Sequence, residues 1–382
     1  MRPEPLKILL LAGEESGVVY AERLRARLVA GRDVVFRGYD TEGFATGDLA
    51  VMGFWPVLRR LFFFLRVART MRRVIRDWRP DAVVTIDYPG LNLKLAAYAK
   101  ARGIPAVHLV CPQVWAWHRD RIPQVAAALT KLLCFLPFEP ALFAGTGLEA
   151  TFIGHPMVDV FAEEAKAAPE AGPLLALLPG SRVGEIRRNL PRLVAAVDRL
   201  GAAGRVVIPA ANARAEREIA AVLARRPAGG APITVQKGGA RALLRRATCA
   251  AVASGTATLE AALARCPTVL VYAVSPLLAW FARRVIRGVH YIGLANVIWE
   301  KSGAVGEPPM PELLQEAFTP QAVAAQLTPL LTDATARAAA VRRLDAAMAR
   351  LQSSGDALGL AAREILKTID SKTTTFQGED NP

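Results

Sequence analysis

A chain of 382 residues exceeds one ordinary hydrophobic core and suits about two domains. It is 52% hydrophobic with a net charge of +14, yet no apolar run reaches the roughly 20 residues needed to cross a bilayer. The nearest, Thr268–Ala282, is broken by Ser275 and Pro276 and stops at Arg283.

The chain opens with an apolar run, Lys7–Ala12, too short for a signal-peptide core and best read as a buried first strand. Gly13–Gly17, GEESG, closes it and opens a helix, Gly17–Val29. The turn's N–H groups and Ser16 suit an anion or sugar; Glu14 and Glu15 favour the sugar or acceptor. A strand is expected at Val34–Arg37 and a helix over Pro56–Trp78. Between Trp55 and Arg79 lie eight arginines and one aspartate, half of the net charge. Arg59, Arg60, Arg66 and Arg69 are interleaved with Phe62, Phe63 and Phe64, and the phenylalanines widen the apolar arc beyond one core-facing stripe. Such a helix fits an anionic membrane surface, or a core helix with a solvated arginine face. The charge would suit nucleic acid, but no recognition motif accompanies it.

Strands then alternate with helices: Ala82–Ile86, Leu91–Arg102, Ala106–Val110, Pro123–Leu129, Lys131–Phe135, Pro140–Ala144 and Thr151–Ile153. Asp87 stands at the end of the strand Ala82–Ile86, in TIDYPGLN. Pro89 and Gly90 force a turn there, so the carboxylate can serve as a general base or cap the following helix. Val114–Trp117, VWAW, follows the next strand; one tryptophan packs inside and the other, Trp117, lines the site.

Phe161–Gly172 has a linker's composition. Beyond it the rhythm repeats, with strands at Leu174–Leu178, Arg205–Ile208, Ile233–Gln236, Cys249–Ala253 and Thr268–Tyr272. Helices are expected at Glu185–Leu200, Arg214–Arg225, Gly239–Arg246, Ala257–Ala264 and Leu277–Ile286. Two turns carry the chemistry. LLPGSR ends with Ser181 and Arg182, and SGTATLE holds Ser254, Gly255, Thr256 and Glu260. Each places small residues between a strand and a helix, where backbone N–H groups and the helix dipole favour an anion. Arg182 adds a planar fork for phosphate oxygens and Glu260 a carboxylate for ribose hydroxyls, which together suggest a nucleoside diphosphate. Asn296 in YIGLAN and Gln315 in PELLQ are amides able to read a sugar or a base edge. No Gly-x-Gly-x-x-Gly or Walker sequence is present, which disfavours dinucleotide redox and kinase chemistry. Cys111, Cys134, Cys249 and Cys266 lack metal-type spacing, so no metal or cofactor is expected.

The expected architecture is α/β, with two doubly wound Rossmann-like domains facing a cleft: residues 1–165 for the acceptor and membrane, and 173–330 for the nucleoside diphosphate, which the resemblance given below makes a UDP-sugar. C-terminal helices follow over 331–369, and 370–382, nearly free of apolar residues, is expected to be disordered.

GEESG, AVMGF, IDYPGLN, CPQVWAW, LPFE, FIGHP, LPGSRVGEI, PAAN, ASGTATLE, YAVSPL, YIGLAN and PELLQ occur in this order. In these the chain, over about residues 7 to 365, resembles the lipid-A-disaccharide synthases, metal-independent inverting GT-B glycosyltransferases. The resemblance implies transfer from UDP-2,3-diacylglucosamine to 2,3-diacylglucosamine 1-phosphate with release of UDP, on the cytoplasmic face of the inner membrane of Gram-negative bacteria. It makes Asp87 the base, Ser181, Arg182, Ser254, Gly255, Thr256 and Glu260 the UDP site, and Asn296 and Gln315 its neighbours. Gly13, Glu14, Ser16, Gly17 and Trp117 fall on the acceptor side, the arginine–phenylalanine helix on the membrane, and the C-terminal segment at a homodimer contact. Three departures lie in the first domain: Val18 where the family has Asp, GYDTEG at Gly38–Gly43, and Gln113 and His118 around the tryptophans. A related UDP-sugar transferase or epimerase with another acceptor, and a non-catalytic membrane-bound paralogue, are the other readings.

Overall fold

The computed structural model describes residues 4–30, 32–45, 61–164, 172–201, 204–227, 229–275, 279–280, 289–353 and 355–378, without the side chains of residues 15, 16, 61 and 373–378. The chain divides into two compact units, Met1–Asp159 with Gln352–Pro382, and Val160–Leu351.

In the first unit six strands, β1 (Leu6–Ala12), β2 (Val34–Arg37), β3 (Ala82–Ile86), β4 (Ala106–Leu109), β5 (Lys131–Cys134) and β6 (Glu149–Phe152), form one sheet in the order β2-β1-β3-β4-β5-β6. All neighbours are parallel. Helices α1 (Glu15–Val29), α2 (Leu61–Trp78), α3 (Pro89–Lys100), α4 (Ile122–Ala128) and α5 (Pro156–Glu163) supply the crossovers that parallel strands require, α5 leading into the second unit. The central strand β3, AVVTI, is buried on both faces and accordingly has no polar alternation. One face packs Ile8, Leu24, Val84 and Ile86 together; the other packs Leu9, Met71, Ile75, Val83 and Leu95.

The second unit repeats the plan. Strands β7 (Leu174–Leu178), β8 (Arg205–Ala210), β9 (Ile233–Lys237), β10 (Cys249–Ala253), β11 (Thr268–Tyr272) and β12 (Glu312–Leu314) run in the order β12-β11-β10-β7-β8-β9, again parallel throughout. Its helices are α6 (Val183–Leu200), α7 (Ala213–Leu223), α8 (Ala240–Arg246), α9 (Thr256–Leu263), α10 (Leu294–Lys301), α11 (Pro320–Thr332) and α12 (Ala334–Met348). Helix α6 buries Ile186, Leu190, Leu193 and Val197, a 3.6-period stripe, against Leu175 and Leu177.

The last helix, α13 (Ala357–Gly378), corrects two expectations. Residues 370–378 are helical rather than disordered, and Arg32 pairs with Asp370 at 2.8 Å. The C-terminal helices also do not form one segment. Leu331 and Ala340 join the core of the second unit, whereas Leu358, Ala361, Ile365 and Ile369 complete that of the first. Buried Lys131 of β5 anchors α13 through Glu364, with Glu149 as its second partner at 2.6 Å. The apolar face of α13 outweighs the polar composition of its end. The helix expected at Leu277–Ile286 lies largely outside the described residues.

Candidate active site

A doubly wound sheet has a switch point where successive connections leave its first strand in opposite directions, and loops at the carboxyl ends there splay apart to admit ligands. In the first unit that point lies between β1 and β3, whose ends are level, Ala12 pairing with Ile86. GEESG leaves β1 and DYPG leaves β3, so these two predicted loops become neighbours. Their contact is close: a Cβ on Gly13 would lie 2.7 Å from Cγ of Tyr88, so the approach requires glycine. Asp87 and Tyr88 both have left-handed backbones, φ 51° and 52°. Two consecutive non-glycine residues there store strain that the surroundings must hold.

Buried Asn92 holds it. Its Nδ2 donates to Asp87 O at 2.8 Å and Ile86 O at 3.2 Å, and its Oδ1 accepts the Tyr39 hydroxyl at 2.6 Å. Tyr39 comes from the departing GYDTEG segment, which therefore braces the Asp87 turn. Helix α3 begins at Pro89 with Tyr88 as its N-cap and no side-chain cap bond. Asp87 is thus not the cap; among the described residues its Oδ1 accepts only the adjacent Tyr88 N–H, at 2.8 Å. Burial raises its pKa, opposed by that bond, which moves a carboxylate toward the range useful for a base. Val18, another of the departures, is partly buried against the core cluster of the first unit. Glu14 adds a charge that, after burial, raises the pKa of Tyr88. The side chain of Ser16 lies outside the described residues; Gly17 packs on Ala12 and Ile86.

The tryptophans divide between interior and surface. Trp115 is buried and donates Nε1–H to Glu139 Oε1 at 3.3 Å, whereas Trp117 is 47% exposed beside His118. Glu139, of LPFE, also accepts the Leu136 N–H at 3.0 Å, and burial pushes its pKa up to about 8. Among the described residues, the one group able to hold a metal is Cys111, Cys134 and Glu139, with ligand atoms within 4.8 Å of one another. Both Glu139 oxygens already accept N–H bonds, and a hydrogen bond with Cys134 together with burial pushes the Cys111 thiol up.

In the second unit the switch point lies between β7 and β10, with Leu178 paired to Val252. PGSR leaves β7 and SGTA leaves β10, which brings Ser181, Arg182, Ser254, Gly255 and Thr256 to one edge. Gly180 (φ 114°) and Gly255 (φ 149°) adopt backbones that suit glycine. Buried Asn189 on α6 donates to Pro179 O at 2.9 Å and pins the first turn as Asn92 pins its counterpart. Arg182 is the N-cap of α6 and Gly255 that of α9, so two helix N-termini meet here. Glu260, one turn into α9, is half-buried. Burial raises its pKa, while Arg241 lies 3.8 Å away and opposes the rise. Tyr272, at the end of β11, feels the charges of Glu185 and Arg182 after burial has raised its pKa.

The two amides behave otherwise than expected. Asn296 is wholly buried; its Nδ2 donates to Met310 O (2.7 Å) and Glu312 Oε1 (2.8 Å), and its Oδ1 accepts the Met310 N–H (2.9 Å). Both of its N–H groups are taken up inside the protein. It fixes the YIGLAN segment, whose Ile292 and Gly293 N–H groups also bond Glu312. Gln315 does reach the edge, after β12, but its amide pairs with both main-chain groups of Val274 when oriented to satisfy them.

On α2 the exposed face differs from the expected one. Phe62 is 85% and Leu65 40% exposed, beside exposed Arg66 and Arg69, whereas Phe63 and Phe64 pack on the core around Phe44. Arg59 and Arg60 lie outside the described residues.

Comparison with known proteins accords with this arrangement. A family model described as lipid-A-disaccharide synthetase matches residues 8–363. The lipid-A-disaccharide synthase of Myxococcus xanthus is 34% identical over 96% of this chain and 98% of its own length. That of Neisseria meningitidis serogroup A is 35% identical over 94% and 97%. The Neisseria meningitidis UDP-GlcNAc 2-epimerase structure bound to UDP-GlcNAc shares the fold, at a TM-score of 0.59 and 12% identity over 96% of this chain and 100% of that one. Acinetobacter baumannii MurG does so at 0.57 and 13% over 95% and 100%. With matches along nearly its whole length, the chain belongs to the lipid-A-disaccharide synthase family of GT-B glycosyltransferases.

Proposed function

We propose that the protein transfers 2,3-diacylglucosamine from its UDP derivative to 2,3-diacylglucosamine 1-phosphate, forming the disaccharide 1-phosphate and UDP. The observation that carries this is the pairing of PGSR with SGTA across the switch point of the second unit. Two helix N-termini and Arg182 make that edge a receptor for a diphosphate.

In the reaction an acceptor hydroxyl oxygen bonds to the anomeric carbon while the bond from that carbon to the UDP phosphate oxygen breaks. The hydroxyl proton passes to Asp87, and the charge left on UDP is met by Arg182 and the N–H groups at the starts of α6 and α9. Glu260 takes the ribose hydroxyls. Gly13, Glu14 and Trp117 serve the acceptor side, with the Gly13–Tyr88 contact setting where Asp87 stands. Asn296 acts by positioning, and Gln315 contributes from the edge. Both substrates carry acyl chains, and Phe62, Leu65 and the arginines of α2 meet an anionic bilayer surface, on the inner face of the inner membrane. No helix among the described residues is long and apolar enough to cross a membrane, as peripheral attachment requires. UDP release that depends on both diacyl substrates tests the reading; release with donor alone would indicate hydrolysis instead.

A further inference from the structure

The two central strands of the first unit end in the same unusual way. Ile86 of β3 pairs with Leu109 of β4, and the next residue of each chain segment leaves with a left-handed backbone, Asp87 at φ 51° and Val110 at φ 72°. Seven non-glycine residues have such a backbone among the described residues, and Val110 alone of them is branched at Cβ, which makes its conformation the hardest to hold. The two turns share one hydrogen-bond ladder: the Asp87 N–H donates to Leu109 O at 3.0 Å and the Val110 N–H to Leu133 O at 3.1 Å.

A second cost lies two residues before both turns. Thr85 and His108 are paired across β3 and β4, wholly buried, and hydrogen-bonded through Thr85 Oγ1 and His108 Nδ1 at 2.6 Å. The same hydroxyl lies 3.3 Å from Val107 O and has one proton for the two. His108 Nε2 makes no hydrogen bond of normal geometry among the described residues. Burial pushes the pKa of the ring down to about 3, against a pull from the Val110 main chain, so the ring is neutral. A strand buried on both faces needs no histidine there, because leucine would fill the space without leaving a nitrogen unpaired. An unpaired buried atom and a left-handed β-branched residue, two positions apart, each lower stability, and such costs persist where a working geometry is being held.

What hangs from Val110 is the CPQVWAW loop, and its internal shape is fixed. The Ala116 and Trp117 N–H groups donate to Gln113 O at 3.1 and 3.3 Å, and Trp115 is fastened to Glu139. Its exposed end is Trp117. The direction in which such a loop leaves the sheet follows from the backbone angles at its root, which is Val110. We infer that His108, paired with Thr85, is a positioning residue that holds the Val110 turn and, through the shared ladder, aligns the Trp117 loop with Asp87 for the acceptor sugar. This rests on the transfer reaction proposed above.

The test compares the full chain with His108→Leu, His108→Asn and Val110→Gly, using both diacylated substrates. His108→Leu removes the ring and its unpaired nitrogen, so the melting temperature should hold or rise. The acceptor KM should nevertheless rise severalfold and kcat fall roughly tenfold, as for a misplaced reactant. His108→Asn keeps an amide able to bond Thr85 and should recover most of that loss. Val110→Gly makes the left-handed backbone easy to adopt and frees the root of the loop, so the acceptor KM should rise there too. UDP affinity by calorimetry should equal that of the parent in all three variants. The inference is overturned if His108→Leu and Val110→Gly keep the parental kcat and acceptor KM. It is equally overturned if activity in His108→Leu falls only in step with its melting temperature and His108→Asn restores none of it. Should His108→Leu not fold, a parental acceptor KM in Val110→Gly overturns the inference by itself. A parent that makes no disaccharide from the two substrates is a different result: it overturns the proposed reaction, and this inference with it.

Discussion

The Glu185 carboxylate reaches back over the start of its own helix to Arg182. Oε2 accepts the Arg182 N–H at 3.3 Å and the Ser181 N–H at 3.2 Å, and Oε1 accepts from the guanidinium at 3.0 Å. The groups expected to hold a phosphate thus hold an internal carboxylate. On the proposed function a diphosphate would displace it, and Arg182, two-thirds exposed, would turn to the ligand.

Two substitutions separate these roles. Arg182→Ala removes a charge-assisted bond worth about 1.5–3 kcal/mol and should weaken UDP roughly 10- to 150-fold. Glu185→Gln removes the competing charge and should tighten UDP about three- to tenfold, the equivalent of roughly 1 kcal/mol. Calorimetry with UDP checks both; unchanged affinity in Arg182→Ala, with the fold intact, contradicts the assignment.

Asp87 should trade stability for activity. Burial raises its folded pKa above the unfolded value, so the protonated form is favoured on folding. Its contribution is fully present below the unfolded pKa and is lost as pH rises through the folded one. Asp87→Asn should therefore raise the melting temperature at neutral and alkaline pH and leave it nearly unchanged in acid. Turnover should fall by about two orders of magnitude or more with UDP affinity retained. Retention of more than about a tenth of parental turnover would remove Asp87 as the base.

Gly13→Ala places a methyl group against the near end of the Tyr88 side chain, where a rotamer change cannot relieve it. Overpacking of this kind costs about 1–3 kcal/mol. The strained Asp87–Tyr88 turn should absorb it, so turnover should drop while UDP binding persists. Parental turnover and melting temperature together would show that the contact is not needed.

The membrane face is tested by a pair of double variants. Phe62→Ser/Leu65→Ser should release the protein from anionic vesicles without lowering its melting temperature, because both side chains are exposed. Phe63→Ser/Phe64→Ser should chiefly destabilise the core. Arg66→Gln/Arg69→Gln should weaken vesicle binding by about 1 kcal/mol per charge. Undiminished sedimentation of the Phe62/Leu65 and Arg66/Arg69 variants would make α2 an ordinary core helix.

Much of the fold was legible because parallel strands buried on both faces, such as LLALL and AVVTI, have no other reading between helix-forming segments. The edge loops were legible because glycine and hydroxyl residues mark strand-to-helix turns. What escaped depends on contacts distant in sequence. Asn92 and Asn189 stand in helices whose pattern says nothing of the turns they pin. Tyr39 lies 53 residues from its partner Asn92. Strand β12 is three residues long, too short for a period, and the burial of Asn296 follows from pairing with the strand that period could not reveal. On α2 the core face runs through Val67, Met71, Val74 and Ile75, so Phe62 and Leu65 turn outward. A run of phenylalanines at the helix start concealed that phase.

Metal-free transfer between two diacylated sugars, with Asp87 as the base, can be followed by mass spectrometry of the product. The parent, given UDP-2,3-diacylglucosamine and 2,3-diacylglucosamine 1-phosphate in the presence of a chelator, should yield the disaccharide 1-phosphate and UDP in equal amounts, and Asp87→Asn almost none. UDP with free diacylglucosamine, an epimerised donor, or equal yields from parent and Asp87→Asn would contradict it.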